Sequence, residues 1–171
     1  MQFTETNLEG VILIKPDIFE DFRGHYVETY NYDLYKKNGI DINFKQDDIS
    51  ISSRNVLRGI HGDGETWKLI SCHLGSFYLM VVNNDPKSTQ YKKWQGFTLS
   101  EFNRFQVLVP PKFGNGHVVM SDRAIFHYKQ NTYYNPAGQF TIVWNDPQFG
   151  LWWPIKSPIL SRRDEMGKFI D

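Results

Sequence analysis

The sequence predicts an all-β protein that folds as one domain over residues 1–171. Aromatic residues, which favour strands, are abundant at 13 Phe, 9 Tyr and 5 Trp, whereas alanine, the best helix former, occurs only at Ala124 and Ala137. Thirteen Gly and eight Pro are spread along the chain, where they supply turns between short strands. A chain of this length buries a full core without a disulfide or a structural metal. These features favour a single sandwich or barrel.

Short apolar or alternating segments, each closed by a turn signal, predict eleven strands. They are Val11–Ile14, Gly24–Tyr30, Phe44–Ser52, Val56–His61, Lys68–His73, Ser76–Asn83, Trp94–Leu99, Gln106–Val109, His117–Met120, Ile125–Tyr133 and Phe140–Trp144. One early helix is predicted from Asn31 to Asn38, with Asn31 as its cap and Gly39 as its stop. A second short helix is predicted from Ile159 onward.

The segment Ser76–Asn83 is apolar on both faces, because Phe77, Leu79 and Val81 alternate with other large apolar side chains. Such a strand lies inside a two-layer structure or at a contact between subunits. Together with the many aromatic residues, it predicts a homodimer. The alternative is that the aromatic residues simply fill the barrel.

Charge and composition exclude several classes of partner. Nineteen Lys and Arg balance nineteen Asp and Glu, so no basic field exists to hold nucleic acid. The single Cys72 cannot form an internal disulfide, which favours a reducing compartment. The first residues lack the pattern of a secretion signal, and the apolar runs are too short to span a bilayer. We therefore expect a cytoplasmic protein with no membrane partner.

The five histidines are His25, His61, His73, His117 and His127. No two of them are spaced to aim two imidazoles from one strand or helix at one ion, so no metal site is predicted.

The segment Asn55–His61 places an arginine and a histidine close together in sequence. A regularly alternating strand would point Arg58 and His61 to opposite faces. A β-bulge at Gly59 would bring the two side chains to one face.

Eight pieces of sequence, in order, cover almost the whole chain. They are Asp21-Phe-Arg23-Gly24 with Glu28; Gln46-Asp-Asp-x-Ser50; Asn55-Val-Leu-Arg-Gly-Ile-His61; Trp67-Lys68-Leu69 with Gly75; Val109-Pro-Pro; Phe126-His-Tyr128-Lys129 with Tyr133-Tyr134; Trp144-Asn-Asp146; and Leu160-Ser-Arg-Arg-Asp164. In this order they resemble the dTDP-4-dehydrorhamnose 3,5-epimerase family, metal-free enzymes of sugar nucleotides. The resemblance implies a cupin-type β-barrel, or jelly roll, that works without a cofactor.

The resemblance also implies catalytic roles. A ketone at carbon 4 of a 6-deoxy sugar acidifies the hydrogens on carbons 3 and 5, and inversion needs proton carriers on opposite faces of the ring. His61 matches the family's base and Tyr128 its acid, in keeping with their ordinary pKa values. Asp164 matches the carboxylate that holds the base, and Lys68 the cation beside the enolate oxygen.

Substrate-binding residues follow from the same likeness. Arg58 and Arg23 match arginines that bind the substrate, and arginine suits its phosphates. In the family the leading segment often reaches over a neighbouring subunit, so Arg23 and Glu28 are expected to serve the partner's pocket. The other residues predicted to bind the substrate are Gln46, Asn115, Tyr134 and Trp144. The two aromatic residues either line the sugar or base pocket or are structural.

Four departures from the family pattern concern the pocket. The loop between His61 and Lys68 is short, Asn115 replaces a histidine, Leu79 an aspartate, and Gln139 a glutamate. The resulting motifs look closest to the branch that acts on GDP-linked 4-keto-6-deoxy-heptoses for surface polysaccharides such as capsules. Inversion of carbon 3, carbon 5 or both stays open. The alternatives are a dTDP-4-keto-6-deoxyhexose 3,5-epimerase, a 3,4-ketoisomerase, and a non-catalytic module that binds nucleotide sugars.

Overall fold

Two antiparallel sheets and a separate hairpin make up residues 1–167, the part of the chain that the computed structural model describes. The larger sheet contains β1 (Gln2–Glu5), β2 (Ile12–Lys15), β5 (Gln46–Ser53), β7 (Lys68–Leu74), β10 (Gln106–Val109) and β12 (Arg123–Gln130). The smaller sheet contains β6 (Leu57–Gly62), β8 (Ser76–Asn83), β9 (Trp94–Ser100), β11 (Phe113–Val119) and β13 (Phe140–Thr141). The hairpin is β3 (Ile18–Asp21) with β4 (Gly24–Val27).

The strand orders are β1-β2-β10-β7-β12-β5 in the larger sheet and β13-β6-β11-β8-β9 in the smaller one. Apolar side chains of both sheets meet in one buried cluster, which includes Phe77 and Leu79 of β8 and Ile70 of β7. The sheets therefore form the two layers of a jelly roll around a shared core, and the all-β prediction is confirmed.

The predicted strands differ from the observed ones mainly where hydrophobicity does not follow the pairing. Strands β1 and β3 were not predicted, because their side chains are mostly exposed and give no inward alternation. Strand β11 begins at Phe113 instead of His117, since pairing with both β6 and β8 extends through its glycines. The predicted strand Phe140–Trp144 ends at Thr141, and the predicted Gly24–Tyr30 ends at Val27.

The early helix is confirmed as α1 (Tyr32–Lys37), with the backbone N–H of Leu34 donating to the Asn31 side chain at 3.2 Å. Gly39 follows it with a φ of +85°, which suits a glycine stop. The second helix, α2 (Arg162–Met166), starts later than predicted because Ile159 forms a bridge with Val56. Its predicted continuation over 168–171 lies outside the described residues. No helix within residues 1–167 is both long and apolar enough to cross a membrane.

The second face of β8 packs against the chain's own carboxy-terminal segment, residues 142–160. Met80 and Val82 are fully buried there, in a cluster with Trp153, Leu57 and neighbouring apolar residues. This cover accounts for a strand that is apolar on both sides without a second subunit. The homodimer prediction therefore loses that argument and has to rest on other features.

One such feature is the hairpin β3–β4, which pairs only with itself among the described strands. It leaves Phe19, Phe22 and Tyr26 between 63% and 99% exposed. Isolated hairpins are barely stable in water, and clustered exposed aromatics mark a surface that a partner covers. The hairpin thus presents a cluster of exposed aromatic side chains.

Candidate active site

A cavity of about 350 Å³ lies between the two sheets and collects most of the residues predicted for the site. Those that line it are His61, Lys68, Tyr128, Asp164, Arg58, Asn115 and Tyr134. It is also lined by residues to which the sequence assigned no role, among them Ser50, His117, Gln130, Ser161 and Arg163.

Arg58 and His61 reach this cavity together because β6 contains the predicted bulge. His61 pairs with Asn115 and Arg58 pairs with His117, so three steps along β6 oppose two steps along β11. Gly59 has a φ of +116°, and a Cβ there would lie 2.5 Å from the Cα of Gly116. The backbone at this point therefore requires glycine, and the predicted bulge is confirmed.

His61 and Asp164 form a tight pair. The Nε2–H of His61 donates to Oδ1 of Asp164 at 2.6 Å, which leaves Nδ1 as the ring nitrogen that accepts a proton. The other carboxylate oxygen accepts from the Ser161 hydroxyl at 2.9 Å, and Ser161 also caps α2. The start of α2 thus fixes the carboxylate against the imidazole.

The environment keeps Asp164 ionised although its side chain is almost fully buried. Burial opposes the charge, but hydrogen bonding and the charge of His61, together with bonds from Ser161 and the Gly59 backbone, hold the pKa of Asp164 below 3.8. An ionised carboxylate stabilises the imidazolium that forms when His61 takes a proton.

Asparagine in place of Asp164 is expected to lower the free energy of unfolding at pH 7 by about 2 kcal/mol, since a hydrogen bond to a buried charge is lost. Because the folded pKa of Asp164 is depressed, its stabilisation is present above pH 3.8 and disappears as pH falls through the lower folded value. Urea denaturation of both proteins between pH 7 and pH 2 measures this. The exposed Asp122→Asn change is the control and should have little effect at any pH. An Asp164→Asn deficit that persists undiminished at pH 2 would contradict the assignment.

Tyr128 faces His61 from the other wall of the cavity, since β12 belongs to the larger sheet and β6 to the smaller one. Burial, followed by the charge and hydrogen bond of Asp48, raises the pKa of Tyr128 above its ordinary value. Asp48 pairs with Tyr128 across β5 and β12 and accepts from the Gln46 side chain at 2.7 Å. The phenol therefore stays protonated and available as a donor.

Lys68 extends from β7 between these two walls. Its ammonium donates to the Asn115 side chain at 3.3 Å and lies 5.9 Å from the centre of the Tyr128 ring. Burial lowers the pKa of Lys68, with Arg163 acting in the same direction and Asp63 opposing. A desolvated ammonium interacts strongly with negative charge that develops on a nearby oxygen.

His117 is a cavity residue to which the sequence assigned no role. Its ring stacks on Phe126 with the centroids 4.1 Å apart, and its side chain is buried. Burial first, then the nearby Arg58, lowers the pKa of His117 to about 3. It is therefore a neutral imidazole at cellular pH and does not compete with His61 for a proton.

Four predicted site residues lie elsewhere. Gln46 accepts from the Tyr134 backbone at 3.0 Å and positions Asp48, so it supports the cavity without lining it. Trp144 packs in the apolar cluster behind the smaller sheet and does not line the cavity, which favours the structural one of the two alternatives given for it. As part of residues 142–160, Trp144 helps to cover the second face of β8. Arg23 and Glu28 belong to the exposed hairpin region and do not line the cavity of their own chain.

The cavity contains a proton carrier on each of two opposite walls, and a cation. Across residues 1–167, no three His, Cys, Asp or Glu side chains come together in a way that could hold a metal ion. A base and an acid on opposite sides of one cavity suit the inversion of a carbon next to a carbonyl. The fold and this site define a carbohydrate epimerase, an isomerase.

Comparison with known proteins identifies the family. A profile of dTDP-4-dehydrorhamnose 3,5-epimerase matches residues 5–171. The Escherichia coli (strain K12) enzyme of that name is 38% identical over 170 residues, which are 96% of this chain and 92% of the relative. The Neisseria gonorrhoeae enzyme is 39% identical over 98% of this chain, which spans about half, 52%, of that relative. The crystal structure of the Bacillus anthracis enzyme with TDP and PPi bound has a TM-score of 0.94 at 32% identity and covers 99% of both chains. The chain belongs to the dTDP-4-dehydrorhamnose 3,5-epimerase family.

Proposed function

We propose that the chain inverts carbon 3, carbon 5 or both of a nucleotide-linked 4-keto-6-deoxy sugar. The observation that carries this proposal is the placement of His61 and Tyr128 on opposite walls of one cavity, with His61 held by Asp164 at 2.6 Å. Inversion requires a proton to leave one face of the ring and another to arrive on the opposite face. A single group on one wall would return the proton to the face that it left.

The reaction starts with removal of a hydrogen next to the carbon 4 ketone. The His61 ring takes that proton while Asp164 stabilises the resulting imidazolium. The carbon–hydrogen electron pair moves to form an enolate, whose negative oxygen lies beside the Lys68 ammonium. Tyr128 then donates its proton to the same carbon from the other wall, and the ketone re-forms with the centre inverted.

Arginines bind the two phosphates of the nucleotide-linked substrate. Arg58 lines the cavity and donates from Nε to the Ser52 hydroxyl at 3.0 Å, so its terminal nitrogens are left to contact phosphate oxygens. Arg23 and Glu28 act in the partner's cavity when the chain is a homodimer, because the exposed hairpin carries them away from their own cavity. The exposed aromatic residues Phe19 and Tyr26 of this hairpin support an arrangement in which the hairpin of each subunit contacts the other subunit.

The nucleotide is the part of the substrate for which the relatives give direct guidance. The three proteins compared above are named for a dTDP-linked sugar, and one of them holds TDP. This supports the dTDP-linked alternative. A GDP-linked heptose stays a prediction that the relatives named here do not support.

The test is incubation of the chain with dTDP-4-keto-6-deoxyglucose, and separately with a GDP-linked 4-keto-6-deoxy-heptose, in deuterated water. NMR is expected to show deuterium entering carbon 3, carbon 5 or both, and to identify the accepted nucleotide. A product whose carbonyl has moved to carbon 3 would indicate a ketoisomerase. Tight binding of both substrates without any exchange would indicate a non-catalytic module, and either result would overturn the proposal.

A further inference from the structure

Each inversion changes the protonation of both proton carriers. His61 gains a proton from the sugar and Tyr128 gives one to it, so before a second inversion His61 has to lose its proton and Tyr128 has to regain one. Tyr128 lines the cavity that the sugar occupies. While a sugar is bound, the returning proton therefore has to reach the phenol from a side that the sugar does not cover.

Asp48 lies on such a side of Tyr128, since it does not itself line the cavity. The two residues are directly opposite each other across the antiparallel strands β5 and β12, which places both side chains on the same face of the larger sheet. Side chains in such a pair have their Cβ atoms about 4.5–5.5 Å apart. After burial, the charge and hydrogen bond of Asp48 are the strongest influences that raise the pKa of Tyr128. The carboxylate thus interacts directly with the group that gives its proton away.

Gln46 holds the Asp48 carboxylate in place. Its Nε2 donates to Oδ2 of Asp48 at 2.7 Å, and its Oε1 accepts from the backbone N–H of Tyr134 at 3.0 Å. The Gln46 amide cannot turn without losing one of these two bonds. Because Gln46 engages Oδ2, the other carboxylate oxygen is left to face the phenol of Tyr128.

Asp48 also lies where water can reach it. Strand β5 is the last strand of the larger sheet, and among the strands within residues 1–167 none pairs with its other edge. The Asp48 side chain is only half-buried there. One carboxyl group therefore connects the phenol to the solvent at the edge of the sheet.

The charges around the phenol favour its rapid reprotonation. Once Tyr128 has given its proton away, its phenolate lies beside the Asp48 carboxylate, and two neighbouring negative charges disfavour each other. Tyr134 acts in the same direction, whereas the Lys68 ammonium, 5.9 Å from the ring centre, stabilises the anion. A phenolate is a much stronger base than a carboxylate, so a proton that reaches Asp48 passes on to Tyr128.

We propose that Asp48 is a positioning residue that acts through Tyr128 and returns a proton to the phenolate after each inversion. The carboxylate takes a proton from water at the edge of the sheet and then, as a carboxylic acid, gives it to the phenolate oxygen, which restores both the phenol and the carboxylate. His61 releases to solvent the proton that it took from the sugar, so the cycle neither gains nor loses a proton. This inference rests on the proposed function, because it follows the acid that the inversion uses.

The test measures the first inversion and the steady-state inversion separately in Asp48→Asn, with the nucleotide sugar that the unmodified chain inverts. Asparagine keeps the size of the side chain but cannot carry a proton at neutral pH. With the chain in excess, rapid quenching is expected to show a first inversion within about twofold of the unmodified rate. With the sugar in excess, a burst that does not exceed the number of active sites should precede a steady-state rate that is about tenfold lower. Imidazole buffer, whose acid form can reprotonate the phenolate, should restore that rate.

Asp47→Asn is the matched control. Asp47 precedes Asp48 on β5 but points to the outer face of the sheet, where it accepts from the Lys129 ammonium at 2.7 Å. Both rates should be unchanged in this variant. Asp48→Glu keeps a carboxyl group and should keep its steady-state rate within about twofold of the unmodified chain.

Three results would overturn the inference while the proposed function stands. An equal loss of the first inversion and of the steady-state rate in Asp48→Asn would show that Asp48 only holds the phenol in place. An undiminished steady-state rate would show that water reprotonates Tyr128 without it. A loss of about tenfold in Asp48→Glu would have the same consequence even if Asp48→Asn does not fold. Failure of the unmodified chain to invert any 4-keto sugar would instead overturn the proposed function.

Discussion

Replacing His61 with asparagine is expected to slow deuterium uptake at the inverted carbon by about 10²–10⁴-fold, the usual contribution of a general base. Asparagine places its amide near the position of Nδ1 and does not reach Asp164, which bonds the more distant Nε2, and it cannot take a proton at neutral pH. NMR of the sugar in deuterated water measures the rate directly. Binding of the substrate should be retained, because His61 is not one of the phosphate-binding groups.

His73→Asn is the matched control. His73 lies on the outer face of the larger sheet, where its ring stacks on His127, and it does not line the cavity. We expect its exchange rate to stay within about twofold of the unmodified chain, as is usual for changes away from the reacting groups. Equal rates for the unmodified chain and the His61→Asn variant would show that another group removes the proton.

Replacing Tyr128 with phenylalanine is expected to separate exchange from inversion. The ring remains packed against Phe126, but the proton donor on the second wall is lost. His61 can still remove a hydrogen and return deuterium to the same face, so deuterium uptake with retention should persist. Formation of the inverted sugar should fall by about 10²–10⁴-fold.

The readout for Tyr128→Phe is the ratio of inverted sugar to deuterated but uninverted sugar. Tyr91→Phe, at a partly exposed tyrosine that packs against Phe149, serves as the control for loss of a hydroxyl. It should leave the ratio unchanged. Undiminished inversion in Tyr128→Phe would mean that the second proton comes from elsewhere, for example through water.

Much of the fold is predictable from the sequence because buried strands show in their apolar patterns. Strands β8 and β10 have the predicted bounds, and β6 contains the bulge at Gly59 that the sequence analysis gave as the way to bring Arg58 and His61 to one face. Strands β1 and β3 could not be found, since pairing by backbone hydrogen bonds leaves no mark on exposed side chains. The apolar pattern of β8 predicts that both of its faces are buried, but it does not show whether the residues that cover them come from the same chain.

The candidate site was predictable only where a motif carried it. The resemblance supplied His61, Tyr128, Lys68 and Asp164, all of which line one cavity. Gln130 lies outside the motifs, and Asp48 belongs to the piece Gln46-Asp-Asp-x-Ser50 but was given no role. Alternation along β12 and pairing across to β5 place both residues beside Tyr128. The sequence left Trp144 open between the pocket and the core, because it does not distinguish an aromatic residue of a cavity wall from one of the core.

The contact between His61 and Asp164 joins residues that are 103 positions apart in the chain. Asp164 reaches His61 because residues 142–160, which precede it, pack over the smaller sheet. Any agent that detaches residues 142–160 would separate Asp164 from His61 and so inactivate the base, while most hydrogen bonds between the strands remain intact. Catalytic activity therefore reports whether residues 142–160 remain packed on the smaller sheet. It is lost before the sheets themselves unfold.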